Sequence, residues 1–337
     1  MPINNNNTYN KSLELPEDCS LPFFAYGFFK KGELGYHQIE NFVNNEPNDG
    51  YVSGRLYEKD GVPILKIERQ SFNEIKGDII YFTNPKVAYR SIGKMEPRDL
   101  YKWHRVKVLN STVYANILVY NFENNEHIPG ATVSEDGTQG WHCKKDPLFN
   151  IGMDYLRYKY FNPMVRQTFK PEEQIDIHEV INNEMIGGYI RTFELQMAYV
   201  FLWTIIDRFK TLSYGMTSNE SCKNDKLAKS KLWNKAIRYI QDESGEEIKK
   251  LLGRVVKSNK AYSEDRLVNK FYGIRCNAVH RGKAVGSDER ILTKGFLLLF
   301  PIMGYVINSE LGNLDVAEKQ FYDDVQNILN LKLWPKV

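Results

Sequence analysis

The chain is poor in cysteine, and its cysteines are not spaced for a structural role. Only four occur in 337 residues, and no two of them stand at CxxC spacing. Their scatter excludes a disulfide framework and a zinc ribbon and predicts a reducing, cytoplasmic setting. The pair His142-Cys143 has no second pair at ligand spacing, so we predict no metal site.

Long hydrophobic runs are also missing. The two longest, residues 198–206 and 295–309, are shorter than the roughly 20 apolar residues that span a bilayer. The N-terminus has no apolar core of a secretory signal, so we predict no membrane partner. Walker loops and GxGxxG or GxSxG patterns are absent, and we predict no cofactor.

Charge is nearly balanced overall but not along the chain. The net charge is +3, yet residues 185–310 hold 21 basic against 13 acidic side chains and the remainder holds 24 against 29. A basic half suits a polyanionic partner such as RNA. A basic surface that only keeps the protein in solution is the alternative.

The pattern of residues predicts an α+β protein with two folded parts. Residues 1–20 are polar and rich in Asn and predict a disordered tail. Residues 21–122 predict a small β-barrel or sheet with short helices, and residues 123–184 predict a linker with short helices. Residues 185–337 predict a bundle of four or five helices.

Six strands are predicted in the β-rich part: residues 23–26, 51–57, 62–67, 78–82, 103–109 and 112–120. The last has an almost continuous apolar character, which favours a buried strand. Two short helices are predicted among these strands, over residues 37–42 and 87–95, and two in the linker, over residues 153–160 and 171–182.

The helical part divides by apolar periodicity and capping residues. The first helix is predicted over residues 188–210, because the residues Ile190, Phe193, Met197, Val200 and Thr204 recur at steps of three and four. Tyr199 and Trp203 of this helix are predicted to lie in the core. A second is predicted over 225–241 and a third from Ser244. The fourth is predicted to begin after Ser263 and to stop at Gly282, and a fifth covers 292–306 with a kink at Pro301.

The fourth helix has two distinct faces at 100° per residue. The core face is predicted to carry four apolar side chains, Leu267, Phe271, Ile274 and Ala278. The other face carries Tyr272, Arg275, Cys276, Val279 and His280. Apolar side chains on that face need a cover, so we predict a homodimer that joins two copies of Arg275 and His280.

The stretch Arg275-Cys-Asn-Ala-Val-His280 resembles the signature of the higher eukaryote and prokaryote nucleotide-binding (HEPN) domains. That signature has an Arg, a polar residue two positions later and a His shortly after, and Asn277 fills the polar position. The resemblance covers residues 185–310. It implies an endoribonuclease that uses no metal, and proteins of this kind act as toxins or antiviral defence effectors.

The residue types suit such a reaction. His280 can exchange a proton near neutral pH, and Arg275 can stabilise the charge that develops on phosphorus. Asn277 can orient the imidazole or the phosphate. Tyr272, Arg281 and Lys283 can bind the RNA.

The β-rich part resembles γ-glutamylcyclotransferase-like proteins over residues 21–122. The resemblance rests on the stretch that begins Phe24-Ala-Tyr26-Gly27, on three Gly-containing stretches at residues 54–57, 61–65 and 75–81, and on residues 95–108. It implies that Tyr26, Gly27, Glu96, Tyr101 and Arg105 form a pocket and that Glu96 transfers a proton while 5-oxoproline is released. Phe28, Gly93 and Pro97 depart from the usual family residues.

Three interpretations follow. The first is a HEPN-type endoribonuclease with a cyclotransferase-like domain that senses a small molecule or a protein. The second is a γ-glutamyl-amine cyclotransferase with a helical dimerisation bundle. The third is a binding module in which neither site is catalytic.

Overall fold

The computed structural model describes residues 12–59, 61–67, 73–121, 131–133, 141–170, 184–243, 265–281 and 286–331. The side chains of residues 131–133, 184–190, 242–243, 265–266, 280–281 and 286–288 lie outside this description. The prediction of an α+β protein is confirmed: a mixed sheet lies in the N-terminal part and helices follow. The chain forms two compact units. One comprises the residues up to Asp146 together with Lys210–Glu220, and the other comprises Pro147–Phe209 and the residues from Ser221 onward.

Two sheets form the N-terminal unit. Their strands are β1 (Phe23–Ala25), β2 (Asn48–Ser53), β3 (Arg55–Lys59), β4 (Val62–Lys66), β5 (Glu74–Ile80), β6 (Tyr101–Lys107), β7 (Tyr114–Tyr120) and β8 (Ala131–Val133). The five-stranded sheet has the order β2-β5-β1-β7-β6, and the three-stranded sheet has the order β4-β3-β8. Only β1 and β7 pair in parallel among the described strands.

The central strands are buried, as their composition predicts. Every residue of β1 is buried, and β7 is buried from Ala115 to Tyr120. The single strand predicted over residues 51–57 is wrong, because the chain passes from one sheet to the other between β2 and β3. Gly54 makes this change, since a Cβ there would lie 2.8 Å from the Lys66 carbonyl oxygen.

Helix α1 (Pro85–Met95) connects β5 to β6. It begins with Pro85 after Asn84 and buries Tyr89, Ile92 and Met95. Leu13, which the sequence assigns to a tail, lies against the end of this helix: its amide donates to the Gly93 and Glu96 carbonyl oxygens at 2.8 and 3.2 Å. Two 3₁₀ turns, Tyr36–Gln38 and Glu40–Phe42, replace the short helix predicted there.

A helical segment at residues 148–165 opens the C-terminal unit. It alternates π-helical turns at Leu148–Gly152 and Arg157–Phe161 with the short helices α2 (Met153–Leu156) and α3 (Asn162–Val165). It packs closely, because a Cβ on Gly152 would lie 3.2 Å from Ile205 Cδ1. The helix predicted over residues 171–182 lies outside the described residues.

The described residues form six longer helices after this segment: α4 (Glu184–Tyr214), α5 (Glu220–Ala228), α6 (Lys231–Glu243), α7 (Asp265–Arg281), α8 (Gly286–Glu310) and α9 (Leu314–Leu329). The single helix predicted over 225–241 is wrong: the chain breaks before α6, where the Trp233 amide donates to Ser230 Oγ at 3.2 Å. The helix predicted from Ser244 lies outside the described residues. Helix α9 was not predicted.

The steps of three and four in α4 do not mark its buried face, although Tyr199 and Trp203 lie in the core as predicted. Phe193 and Met197 are 57% and 52% exposed, whereas Leu202 and Trp203 on the opposite face are fully buried. Helix α4 is apolar on all sides, so steps of three and four residues fit more than one face.

One described helix is long and apolar enough to cross a membrane. It is Glu289–Glu310 in α8, with a mean hydropathy of 1.6, and 78% of its apolar window is buried inside the protein. Burial of this extent is typical of a core helix. The helix extends beyond the predicted apolar stretch at both ends and runs through Pro301.

Candidate functional site

A small cavity lies in the N-terminal unit between the two sheets and the end of α1. It measures about 20 Å³ in the space open to the centres of water molecules, which is room for about one water. Its lining is mostly aromatic and apolar: Phe23, Ala25, Tyr26, Gly27, Phe28, Phe29, Pro63, Glu96, Tyr101 and Leu118. Four of the five residues that the sequence assigns to a pocket are therefore together.

Glu96 is the only acidic residue in this lining. It is 1% exposed, and its Oε2 atom has no hydrogen-bond partner among the described residues. Burial raises the pKa of Glu96 well above its ordinary value. The carboxyl group therefore holds its proton to a higher pH than a solvated glutamate does.

Two tyrosines hold strand β4 against the cavity. The Leu65 amide donates to the Tyr26 hydroxyl at 3.3 Å, and the Tyr101 hydroxyl donates to the Pro63 carbonyl oxygen at 2.8 Å. Burial, with a smaller effect from the Glu96 charge, raises the pKa of Tyr26. Gly27 is required here, since a Cβ would lie 2.5 Å from Pro63 Cγ.

Phe28 forms part of the cavity wall. Its ring stacks on Phe29 with centroids 4.5 Å apart, and it lies over Gly35, where a Cβ would come within 2.4 Å of its Cδ2 atom. The aromatic pair therefore limits the space beside Glu96.

Arg105 lies outside the cavity. It is exposed on β6, with its guanidinium carbon 4.4 Å from the Tyr114 ring centroid. Arg105 and Tyr101 share a face of the strand but are four residues apart, which is about 13 Å along an extended chain. Its predicted place in the pocket is wrong for this reason.

A second polar cluster lies on the loop that follows Gly27. The buried Glu33 carboxylate accepts hydrogen bonds from His142 Nδ1 at 2.6 Å and from the Cys143 amide at 2.9 Å. The Lys30 amine lies 3.4 Å from His142 Nε2, and burial lowers the pKa of Lys30. Burial also raises the pKa of the Cys143 thiol, which disfavours the thiolate form.

This cluster fixes the loop that carries Gly27 and Phe28. Among the described residues no group of three or more His, Cys, Asp or Glu side chains is placed to hold a metal ion. No local sequence pattern predicts this pairing, because Glu33 and His142 are 109 residues apart.

The second candidate site is on helix α7. Leu267, Phe271 and Ile274 are buried, as predicted, and Ala278 is half-buried. Tyr272 packs edge to face against Trp203 of α4, with ring centroids 5.4 Å apart. The Tyr199 hydroxyl of α4 donates to the Phe271 carbonyl oxygen at 2.9 Å, so α4 supports this stretch of α7.

Arg275 is half-buried on this face. Its guanidinium carbon lies 5.7 Å from the Tyr272 ring centroid, and its Nε atom is buried without a hydrogen-bond partner. No described carboxylate forms an ion pair with it. An arginine held in this way can bind an anion from outside the chain.

Asn277 is exposed one half-turn further along α7. It lines a cavity of about 50 Å³ with residues of three helices: Gln196, Ile274, Ala278, Ile291 and Leu292. The backbone of His280 and Arg281 belongs to α7. The side chains of these two residues, and all of Lys283, lie outside the described residues.

Comparisons with known proteins add little. No family model and no curated protein matches the chain. An uncharacterized protein PH0828 from Pyrococcus horikoshii is similar at a TM-score of 0.27 and 14% identity, over 35% of this chain and 90% of that protein. A TM-score this low does not establish a common fold.

Proposed function

We propose that this protein is a metal-independent endoribonuclease of the HEPN type, whose active residues lie on helix α7. The observation that carries the proposal is Arg275, a half-buried guanidinium with a buried, unpartnered Nε and no described carboxylate partner. In this proposal the cyclotransferase-like N-terminal unit binds a regulatory ligand. The protein acts in the cytoplasm as a toxin or antiviral defence effector.

The chemistry requires two groups near one phosphodiester. The ribose 2′-hydroxyl loses its proton to a base and attacks phosphorus, forming a 2′,3′-cyclic phosphate and breaking the bond to the 5′-oxygen, which takes up a proton. His280 exchanges these protons, and Arg275 stabilises the additional negative charge on the phosphoryl oxygens. Asn277 orients the phosphate or the imidazole. Tyr272, Arg281 and Lys283 bind the RNA strand.

Purified protein is expected to cleave RNA in the presence of excess EDTA and to leave 2′,3′-cyclic phosphate ends. A generic single-stranded RNA is the substrate, and the ends are identified by mass spectrometry. Heat-treated protein is the control. RNA that stays intact under these conditions, with and without added divalent metal, contradicts the proposal.

A second copy of the chain is part of the proposal, because α7 presents apolar surface beside Arg275. Val279 is 45% exposed, and Tyr272 and Cys276 are half-buried. Ile291 and Met197, 45% and 52% exposed, lie on the two helices that border the Asn277 cavity with α7. A dimer that covers this surface brings two Arg275 side chains together.

Replacing Val279 with glutamate is expected to convert a homodimer into a monomer at micromolar concentration and to abolish most RNA cleavage. A charge cannot be buried in an apolar interface without a partner. Light scattering measures the mass. Val316→Glu is the matched control, since Val316 on α9 is 72% exposed. An active monomeric Val279→Glu protein would show that the site needs only one chain.

A second candidate function rests on Glu96. A buried carboxyl group with a raised pKa beside the Tyr26-Gly27 loop suits a proton shuttle. The α-amine of a γ-glutamyl-amine would attack the γ-carbonyl, and Glu96 would carry the proton from the attacking amine to the leaving nitrogen, releasing 5-oxoproline. The room for about one water beside Phe28 favours a role in sensing over turnover.

A further inference from the structure

The turn after helix α4 contacts the residues that directly precede Glu96. The Met216 amide donates to the Met95 carbonyl oxygen at 2.9 Å, and the Thr217 hydroxyl donates to the Lys94 carbonyl oxygen. All of these residues belong to the N-terminal unit. Residues 215–217, called here the α4 turn, therefore fasten to the last residues of α1.

The α4 turn depends on Gly215. Its φ angle is +102°, which L side chains rarely adopt, and a Cβ would lie 2.8 Å from Met95 Cα. Only glycine lets the chain leave α4 and approach α1 this closely.

The N-terminal segment also contacts this end of α1. The Leu13 amide donates to the Gly93 and Glu96 carbonyl oxygens, and a Cβ on Gly93 would lie 2.5 Å from the Leu13 carbonyl oxygen. Residues 93–96 are thus held by backbone contacts from two distant parts of the chain. Each contact goes to main chain, so it fixes the backbone and not a side chain.

The tip of the Glu96 side chain lacks a comparable anchor. Glu96 lines a cavity together with apolar groups and the two tyrosines, Tyr26 and Tyr101, and its Oε2 atom has no hydrogen-bond partner among the described residues. Its position must therefore come from the backbone that carries it.

We propose that Gly215, Met216 and Thr217 are positioning residues, which hold the Glu96 carboxyl group in the closed cavity through Lys94 and Met95. The inference rests on the role of Glu96 in the proposed function. It gives residues 215–217 a part in shaping the cavity, although they lie more than a hundred residues after Glu96 in the sequence.

The test follows the carboxyl carbon of Glu96 by NMR in full-length protein labelled with ¹³C-glutamate. Its signal is identified by its loss in Glu96→Gln, and its shift is recorded against pH. Tyr26 and Tyr101 are the titratable groups that face it from other elements. The measurement needs neither ligand nor turnover, so it reports on positioning alone.

Loosening the α4 turn is expected to admit water and to lower the titration midpoint of Glu96 toward the 4.5 that is ordinary for glutamate. Thr217→Val removes the hydroxyl donor and should lower the midpoint. Thr217→Ser keeps the donor and should have the wild-type midpoint. Gly215→Ala should lower it further. Gly312→Ala is the control, since Gly312 also has a positive φ of +84° but lies in the other unit.

Folded Thr217→Val protein that titrates as the wild type does would overturn the proposal, and so would a wild-type Glu96 that titrates at the ordinary value. If Gly215→Ala does not fold, the Thr217 pair decides. If the midpoint falls in Thr217→Val but the protein neither cleaves RNA nor releases 5-oxoproline, the positioning role stands and the proposed function fails.

Discussion

His280→Ala is expected to lower RNA cleavage by about 10²–10⁴-fold, the usual contribution of a positioned general acid or base. Histidine is the residue type whose charge ordinarily changes near neutral pH, which is why the proposal gives the proton transfers to His280. Without it, the 2′-hydroxyl keeps its proton and the 5′-oxygen leaves without one. Cleavage rates in EDTA, measured under single-turnover conditions, give the effect on the chemical step.

The control for this variant is His104→Ala. His104 is exposed on β6 in the N-terminal unit. The control therefore replaces the same residue type at a position far from α7 in the sequence. His104→Ala should unfold at the wild-type denaturant concentration, because an exposed substitution changes the free energy of unfolding by less than about 0.5 kcal/mol. The denaturant midpoint of His280→Ala is measured in the same way. Equal cleavage by His280→Ala and wild type would remove His280 from the mechanism.

Glu96→Gln is expected to stabilise the N-terminal unit by an amount that grows with pH. Burial raises the pKa of Glu96 in the folded state above the 4.5 of an exposed glutamate. The stability that the protonated carboxyl contributes is fully present below pH 4.5, and it is lost as the pH rises from there through the folded-state pKa. Glutamine cannot ionise, so the variant escapes the loss.

Between the exposed and the folded-state pKa of Glu96, the difference in the free energy of unfolding between Glu96→Gln and wild type should increase by up to about 1.4 kcal/mol for each pH unit. Hydrogen exchange of the α1 amides in denaturant measures it for the N-terminal unit by itself. Glu46→Gln is the control, because Glu46 is 73% exposed in its ion pair with Lys31. A difference that does not change between pH 5 and pH 8 would mean that Glu96 is not a buried acid.

The same variant separates the two roles of the cavity. If Glu96 is catalytic, wild type releases 5-oxoproline from a γ-glutamyl-amine, and Glu96→Gln loses this activity while it keeps RNA cleavage. If the cavity is a sensor, no 5-oxoproline forms and Glu96→Gln changes the control of RNA cleavage or ligand binding. Mass spectrometry of 5-oxoproline decides between the two outcomes.

The sequence correctly predicted those elements whose pattern of apolar residues fits only one arrangement. The apolar run in β7 fits only a strand that is buried on both faces, and Leu267, Phe271 and Ile274 fit only one face of α7. Helix α4 is apolar all round, so its periodicity could not choose between faces, and packing against Tyr272 and Phe271 decided it.

The candidate cavity could be predicted only in part. Tyr26, Gly27, Glu96 and Tyr101 come together from three segments, as the family resemblance implied. Arg105 lies outside because only the Tyr101 end of strand β6 reaches the cavity, and the point at which a strand passes a cavity cannot be read from the sequence. The contact between the α4 turn and α1 could not be predicted either, because no local pattern links Gly215 to Met95.

The order of the chain imposes an order on folding. Residues 147–209 lie between the two pieces of the N-terminal unit, so the chain leaves that unit and returns to it before it ends. During synthesis, Met95 and Lys94 emerge long before Met216 and Thr217 can bind them. The surroundings of Glu96 are therefore completed only after helix α4 has left the ribosome, and a fragment that stops at Asp146 lacks the turn that holds them.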